Sequence, residues 1–379
     1  MKRATFPLKR PVMVITDYPL QNELDRDIIY SGASNLELLN GLAKAGIMQS
    51  SISCTYLSYE RPSIENYDFC KSFAKHKATV GSTLQWHQLE HQKDCYVEDT
   101  LWTEFQELLE EIRLAEPSLI ILAGKWSFFF LTGLFTVTKT MGSGKGDKPM
   151  GGLSKYRASV CKAASCLQLT EVILYPVLPP VTKHRMPELA PIMVWDSLKA
   201  GDIFKKLKSK EKTINDYLEP NYNLILGTEF GIVSSFLTEL EQVLATQSIN
   251  LSVDIETRHN TIDCIGLGYR KGEAICIPFS TLDSPVFWTE EQELEIVSRI
   301  SSILSSENCK IVGQNFSYDA QFLWKIWLGK YHASFDTMIG NHVLYNKMKK
   351  SLDILASVYC EQYLYWKDDQ NHQLESVSK

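Results

Sequence analysis

Residues 251–257 have the sequence LSVDIET, a strand signal that ends with Asp254, Ile255 and Glu256. Side chains two positions apart on a strand point to the same face, so the two carboxylates are neighbours. Neighbouring carboxylates repel each other strongly unless divalent cations lie between them. The alternative is a solvated end of an edge strand, which an Asp-x-Glu pattern alone does not exclude.

A second acidic position follows in residues 313–319, GQNFSYD. The pattern predicts a strand that ends at Gly313 and a helix that begins near Tyr318, which places Asp319 in the first helical turn. Asp319 is either a partner of the helix dipole or a third metal carboxylate beside the first two. Asn315 either hydrogen-bonds nucleic acid or holds the loop.

The segments around these motifs predict a second domain of strands and helices. We expect Thr289 and Asp336 to be N-caps, because their side-chain oxygens can accept from the first-turn N–H groups of a helix. The predicted strands are 222–226, 251–254, 264–269, 274–278 and 310–313. The predicted helices are 236–244, 289–304, 318–328 and 352–359.

The N-terminal half shows strands and helices in alternation, which is typical of an α/β fold with a parallel sheet. A lysine-rich stretch, 205–212, follows the last helix of this half and is the best boundary. We therefore predict one domain over 1–212 and another over 213–379. The predicted strands of the first are 11–16, 52–57, 118–123 and 171–178, and its main helices are 36–47, 96–115, 126–134 and 193–208.

The composition narrows the function classes. The chain has 379 residues, a net charge of −6 and a pI of about 5.8, and this acidic balance argues against a large nucleic-acid footprint but not against a small metal-dependent cleft. Nine cysteines form no Cys-x-x-Cys pair, which gives little support to zinc or iron–sulfur sites. We expect reduced thiols in a cytoplasm, and no membrane span.

Six stretches, in order and spacing, resemble the DnaQ-like (DEDD) exonuclease superfamily, specifically the proofreading domain of family A DNA polymerases. The stretches are LSVDIET, CIGLGY, AICIPF, IVGQNFSYD, FDTMIGNHVLY and KSLDILASVY. The resemblance covers residues 250–360. It implies a ribonuclease-H-like fold, which is a mixed sheet with three leading antiparallel strands and helices on its faces.

The same resemblance implies two-metal hydrolysis at single-stranded DNA 3′ ends, with two Mg²⁺ or Mn²⁺ ions. Asp254 would bridge both ions, Glu256 would hold the ion that activates water, and Asp319 would hold the second ion. Asn315 and Thr257 are the candidate substrate-binding residues. Paired ions of this kind stabilise both the attacking and the leaving oxygen of an in-line displacement.

The superfamily also requires a fourth carboxylate on a late helix, four residues after a tyrosine or histidine. Tyr365 and Asp369 fit that spacing, but they follow the predicted helix 352–359 closely and lack an apolar helical pattern. The favoured interpretation is that the chain stops short of that helix, as part of a truncated or split phage-type polymerase. A polymerase polypeptide would then be the partner that supplies the rest of the domain.

The stretches PVMVITDYPL, SGASNLELLNGLAKAGI and PSLIILAGKWSFFFLTG lie in residues 11–205. This region resembles the uracil-DNA glycosylase superfamily, although the active-site motifs differ. The loop at 16–20, TDYPL, lacks the glycines and the glutamate of the family, and PPV at 179–181 stands where its histidine motif belongs, unless His184 substitutes. We expect a non-catalytic module that contacts DNA or serves a structural role, in a phage replication protein of an infected bacterium. A non-catalytic DNA- or polymerase-binding accessory module is the alternative for the whole chain.

Overall fold

The computed structural model describes residues 9–60, 70–72, 86–91, 95–134, 151–218, 222–258, 260–281, 284–361 and 363. The chain divides into two compact units: the first unit comprises Met1–Pro220 together with Ala356–Lys379, and the second comprises Asn221–Leu355. The sequence placed the boundary at 212 and assigned all residues after it to one domain. The structure instead groups the described residues between 356 and 363 with the first unit.

The first unit contains a four-stranded parallel sheet in the order β2-β1-β6-β7. Strands β1 and β6 are mostly apolar and every residue of both is buried, as is typical of a parallel sheet covered on both faces. The predicted parallel α/β sheet is thus confirmed. The four strands are β1 (Val12–Thr16), β2 (Ile52–Tyr56), β6 (Leu119–Leu122) and β7 (Ile173–Pro176).

A second, antiparallel sheet of three short strands lies in the same unit, and the sequence analysis did not predict it. Its strands are β3 (Cys70–Ser72), β4 (Trp86–Gln88) and β5 (Cys95–Glu98). The helices of the unit are α1 (Gln21–Arg26), α2 (Ala33–Lys44), α3 (Asp99–Ala115), α4 (Lys125–Thr132), α5 (Gly151–Tyr156), α6 (Thr182–Arg185), α7 (Ala190–Lys208) and α8 (Ile214–Leu218).

Polar contacts hold the late segment 356–363 within the first unit. The buried Arg157 guanidinium donates to Asp196 and to the hydroxyl of Ser357. Glu361 accepts from Lys206 Nζ at 2.7 Å. Arg157 and Lys206 thus bind residues more than 150 positions later in the chain. The first unit is therefore built from two separate stretches of sequence.

The second unit is built on a six-stranded mixed sheet in the order β13-β12-β9-β10-β11-β8. β9, β10 and β11 are antiparallel neighbours, as the resemblance implied, and β12 lies parallel to β9 on the other side. The predicted mixed sheet is confirmed. The strands are β8 (Asn223–Leu226), β9 (Ile249–Arg258), β10 (Thr261–Arg270), β11 (Glu273–Pro278), β12 (Cys309–Gly313) and β13 (Phe335–Asp336).

The helices of the second unit pack an apolar core against this sheet. The predicted cap at Thr289 is confirmed, because its Oγ1 accepts a hydrogen bond from Gln292 N at 3.3 Å. In the opposite direction, Thr289 N donates to Oε1 of the Gln292 side chain. The helices are α9 (Phe230–Thr246), α10 (Glu290–Ser305), α11 (Ser317–Trp327), α12 (Thr337–Leu344) and α13 (Leu352–Tyr359), the last of which begins in this unit. No helix in the described part of the chain is long and apolar enough to cross a membrane.

Candidate active site

The alternation of β9 places two carboxylates on one open face of the sheet. Leu251, Val253 and Ile255 are buried in the core, whereas Asp254 and Glu256 point to the opposite, exposed face. We call this the acidic face of β9. The predicted same-face arrangement of the two carboxylates therefore exists in the folded chain.

The neighbouring strand leaves space beside the acidic face. In the β9–β10 register Asp254 lies opposite Gly266, and Glu256 lies opposite Cys264. A Cβ atom built on Gly266 would have one neighbour within 4 Å, the carbonyl oxygen of Asp254 at 3.7 Å. The absence of a side chain at Gly266 thus keeps the surface next to Asp254 accessible to a ligand.

Asp319 reaches the edge of β9 from the first turn of α11. The register of β12 with β9 ends at Ser252, so β12 does not pair with the next residues of β9. The Oδ1 atom of Asp319 accepts a hydrogen bond from Ile255 N at 2.9 Å. Ile255 is the residue between Asp254 and Glu256 in the sequence. The fold therefore brings Asp254, Glu256 and Asp319 to one end of the sheet.

The three carboxylates influence one another electrostatically. The pKa of the buried Asp319 side chain is raised to about 6, mainly by desolvation and also by the charges of Asp254 and Glu256, while the hydrogen bond from Ile255 acts in the opposite direction. Desolvation also raises the pKa of Asp254. The charges of Asp254 and Glu256 thus disfavour ionisation of Asp319, and a bound cation would relieve that repulsion.

The donor set fits hard divalent cations, because carboxylate oxygens are the ligands that Mg²⁺ and Mn²⁺ prefer. Among the described residues, however, no group of three or more His, Cys, Asp or Glu side chains is gathered closely enough to hold an ion. One oxygen of Asp319 already accepts a hydrogen bond from Ile255 N. A metal site here therefore requires these side chains to move together.

The two candidate substrate-binding residues lie beside the carboxylates. Thr257 Oγ1 is hydrogen-bonded to the hydroxyl of Tyr318 at 2.6 Å, and the Tyr318 ring packs on Phe322 with centroids 5.0 Å apart while 45% of the residue stays exposed. Asn315 is exposed, and its side chain accepts from Ser317 Oγ at 3.4 Å. Tyr318 was not among the predicted site residues, although it directly precedes Asp319.

Asp336 caps α12 as predicted, and it also contacts the loop before α11. Its carboxylate accepts from Met338 N and Ile339 N in the first turn of α12, and from Asn315 N and Phe316 N in the loop. The other predicted pair, Tyr365 and Asp369, lies outside the described residues.

In the first unit, the carboxyl ends of β1 and β6 meet at the point where the sheet order reverses, the usual place for a ligand crevice in such sheets. There Asp17 Oδ1 accepts from Ser127 N at 2.8 Å and Oδ2 from Trp126 N at 3.2 Å, at the beginning of α4. A Cβ on Gly124 would lie 2.0 Å from Asp17 Oδ1, so the carboxylate fits here because residue 124 is glycine. His184 is exposed in the short helix α6.

Residues 233–376 match the family model of the 3′–5′ exonuclease domain. The family match does not include residues 1–232, so the glycosylase-like character of the first unit stays a prediction. No curated protein matches the chain at a significant level.

Among solved structures, the chain is similar to the catalytic core of RRP6 from Trypanosoma brucei, with 15% identity, a TM-score of 0.30 and coverage of 39% of this chain and 38% of that one. It is also similar to RNase D of Escherichia coli, with 18% identity, a TM-score of 0.23 and coverage of 31% and 28%. It is similar as well to an EXD2 exonuclease domain soaked in Mn and GMP, with 12% identity, a TM-score of 0.25 and coverage of 41% of this chain and 84% of that one. The chain spans well under half of the length of the first two proteins.

The family match and the mixed sheet together define the class of this part of the chain. Residues 233–376 match the 3′–5′ exonuclease domain, and the described strands β9 to β13 within that range form a mixed sheet.

Proposed function

We propose that this domain is a metal-dependent exonuclease that shortens single-stranded DNA from its 3′ end. The observation that supports it best is the position of Asp254, Glu256 and Asp319 at one end of the sheet, where burial and then the charges of the first two raise the pKa of the third. Carboxylates without a catalytic role are rarely kept together at such an electrostatic cost.

In this proposal Asp254, Glu256 and Asp319 would hold two Mg²⁺ or Mn²⁺ ions, with Asp254 contributing to both sites, Glu256 to one and Asp319 to the other. When bound, the ion pair supplies charge stabilisation for the attacking and leaving oxygens of a phosphodiester. The protein residues hold these positions: Asp254 and Glu256 through the rigid β9 strand, and Asp319 through the first turn of α11. Exonuclease domains of this type use divalent metal ions.

The substrate would lie on the acidic face, above Gly266. The exposed ring of Tyr318 offers a flat apolar surface for the terminal base, and stacking of this kind accepts any base. Thr257 and Asn315 provide hydroxyl and amide groups at either side of the carboxylates. These contacts suit a flexible single strand more than a rigid duplex, because a base must leave its stack to meet the ring.

We also propose that the domain proofreads for a family A polymerase of the phage type, with a polymerase polypeptide as its partner. The order and spacing of the motifs between 250 and 360 support this context. For the first unit we propose a non-catalytic module that contacts DNA or protein. Its crevice carries the Asp17 carboxylate on the α4 amides, where an anionic ligand would otherwise bind.

The test is an assay with 5′-labelled single-stranded DNA and a matched RNA, in the presence of Mg²⁺ or Mn²⁺. We expect slow products that shorten stepwise from the 3′ end, because the described residues supply only three carboxylates to the site, and no products in EDTA or with Asp254→Asn. Glu291→Gln, which neutralises an exposed carboxylate of α10, is the matched control and should keep full activity. Internal cuts, or cleavage that survives Asp254→Asn, would contradict the proposal.

Two further outcomes of this assay have a defined meaning. Faster shortening of RNA would correct the substrate class. Loss of activity in Asp369→Ala would identify that residue as the fourth carboxylate.

The hydrogen bond that engages Asp319 favours one second candidate function, a module that binds DNA without cleaving it. DNA binding without cleavage under every metal condition would support that candidate.

A further inference from the structure

The Asp336 carboxylate connects two separate pieces of backbone in the second unit. Its Oδ2 accepts from Phe316 N at 2.8 Å and its Oδ1 from Asn315 N at 3.1 Å, both in the loop between β12 and α11. Its Oδ1 also accepts from Met338 N at 2.8 Å and from Ile339 N at 3.2 Å, in the first turn of α12. A residue that only caps a helix would make the second pair of bonds alone.

The loop that Asp336 holds has an uncommon backbone conformation. Asn315 has a φ of 57°, in the left-handed region that residues with a side chain seldom adopt. Phe316, the next residue, is buried and immediately precedes α11. The direction of α11, and with it the position of Asp319, therefore depends on how these two residues are fixed.

A second residue of the same segment contacts the loop from its other side. Thr337 Oγ1 donates to the carbonyl oxygen of Gly313 at 3.1 Å and is also within contact of the Gln314 side chain. Gln314 Nε2 in turn donates to Lys350 O at 2.7 Å. Asp336 and Thr337 thus bind both the polar backbone and a side chain of the loop, which a simple helix start would not require.

We propose that Asp336 is a positioning residue of the nuclease site, which acts on Asp319 through the backbone of Asn315 and Phe316. The inference rests on the proposed function, since it assigns Asp336 a part in the same reaction. Asp336 is no metal ligand in this proposal, because its two oxygens are directed at four backbone N–H groups, three on Oδ1 and one on Oδ2. Its negative charge strengthens those bonds.

Three substitutions separate this role from helix capping. Asp336→Ser keeps an oxygen that can cap α12, but its short side chain cannot also reach the loop. Asp336→Asn keeps one acceptor oxygen in a group of the same shape. Thr289→Ala removes a cap of comparable kind from α10 in the same unit, with no contact to the loop, and is the matched control.

The measurements are the rate of DNA shortening as a function of Mn²⁺ concentration, and amide hydrogen exchange at Asn315 and Phe316. For Asp336→Ser we expect a rate about 10- to 100-fold lower, a higher Mn²⁺ requirement and faster exchange at both amides. Asp336→Asn should be intermediate. Thr289→Ala should lower the melting temperature and leave rate, metal requirement and loop exchange unchanged.

The outcomes distinguish the two proposals. Asp336→Ser with wild-type rate, metal requirement and exchange would overturn the positioning role and leave the exonuclease proposal intact. If the wild-type chain cleaves neither DNA nor RNA, the exonuclease proposal fails, and unchanged exchange in Asp336→Ser and Asp336→Asn would then overturn the loop contact as well. A melting temperature lowered equally by Asp336→Ser and Thr289→Ala, without any change in the loop, would also contradict the inference.

Discussion

The side chain of Asp319 accepts a hydrogen bond from the main-chain N–H of Ile255, the residue between Asp254 and Glu256, at 2.9 Å. This bond fixes the third carboxylate against the strand that carries the other two. It also replaces a ladder bond that β12 does not make, because the register of β12 with β9 ends at Ser252. One hydrogen bond thus satisfies a backbone donor and assembles the candidate site.

Removal of one carboxylate should weaken binding of paired divalent ions. For Asp254→Ala, Glu256→Ala and Asp319→Ala we expect Mn²⁺ affinity to fall by about 10- to 100-fold or more, since even the loss of outer partners of metal ligands has effects of that size. Isothermal titration calorimetry measures the change, with Glu291→Gln as the control. An Asp254→Ala variant that binds Mn²⁺ as tightly as the wild type would refute the site assignment.

A bulky side chain at position 266 should block the acidic face. A Cβ atom fits there, with the carbonyl oxygen of Asp254 3.7 Å away, so Gly266→Ala should keep both stability and activity. Gly266→Leu extends the side chain over the sheet surface beside Asp254, and we expect at least a roughly 10-fold loss of DNA cleavage without a matching loss of stability. Equal activity of the two variants would show that the substrate does not bind over Gly266.

The aromatic ring of Tyr318 should matter more than its hydroxyl group. Tyr318→Phe loses the bond to Thr257 and keeps the exposed ring, so a small change in rate is expected. Tyr318→Ala loses a stacking surface worth about 1–3 kcal/mol per base, so its KM for single-stranded DNA should rise about 10-fold or more. Tyr222→Ala, at another exposed tyrosine of the unit, is the control. A similar KM in all three variants would exclude stacking on Tyr318.

The ion pairs of Glu361 should make stability depend on acid pH. Hydrogen bonds from Lys206 and then Lys212 lower the pKa of Glu361 from 4.5 to about 2. A lowered acid pKa stabilises the folded state above the unfolded value, so this contribution should be lost as the pH falls from about 4.5 toward 2. Thermal unfolding should show a flatter acid dependence for Glu361→Gln, and the wild-type dependence for Glu188→Gln. Identical pH dependence of the melting temperature in all three proteins would show that Glu361 does not contribute to the acid sensitivity of stability.

The first unit should not excise uracil from DNA. The loop at 16–20 lacks the family glutamate, and PPV at 179–181 lacks the histidine that would stabilise the leaving base. The chain should leave a uracil-containing oligonucleotide intact after alkali treatment, whereas a uracil-DNA glycosylase run in parallel should yield strand breaks. Breaks at uracil with this chain would show that other residues of the unit provide the chemistry.

The sequence predicted the parts of the fold in which apolar runs are long. β1 and β9 were predicted because apolar side chains there mark a buried sheet, and the caps at Thr289 and Asp336 follow from local hydrogen bonding. The three-residue strands β3 and β4 were missed, because so few residues carry no periodicity.

The site was predictable as a set of residues but not as a geometry. Residues 254 and 256 share a strand, so their common face follows from the period of two. The bonds from Asp336 to the loop, and from Thr257 to Tyr318, join residues 20 or more positions apart. Local patterns contain no information on such contacts, which depend on the register of β12, β13 and β9.

The bond between Arg157 and Ser357 joins positions 200 residues apart, which has a consequence for synthesis on the ribosome. The last strand of the parallel sheet, β7, is translated long before Ser357. At about 5–20 residues per second, the residues between α7 and Ser357 take on the order of 10 s to appear. During that interval the whole second unit is translated, and the Arg157 guanidinium lacks its Ser357 partner. Translation order is therefore not folding order here: the unit that begins first is the last to complete its polar core.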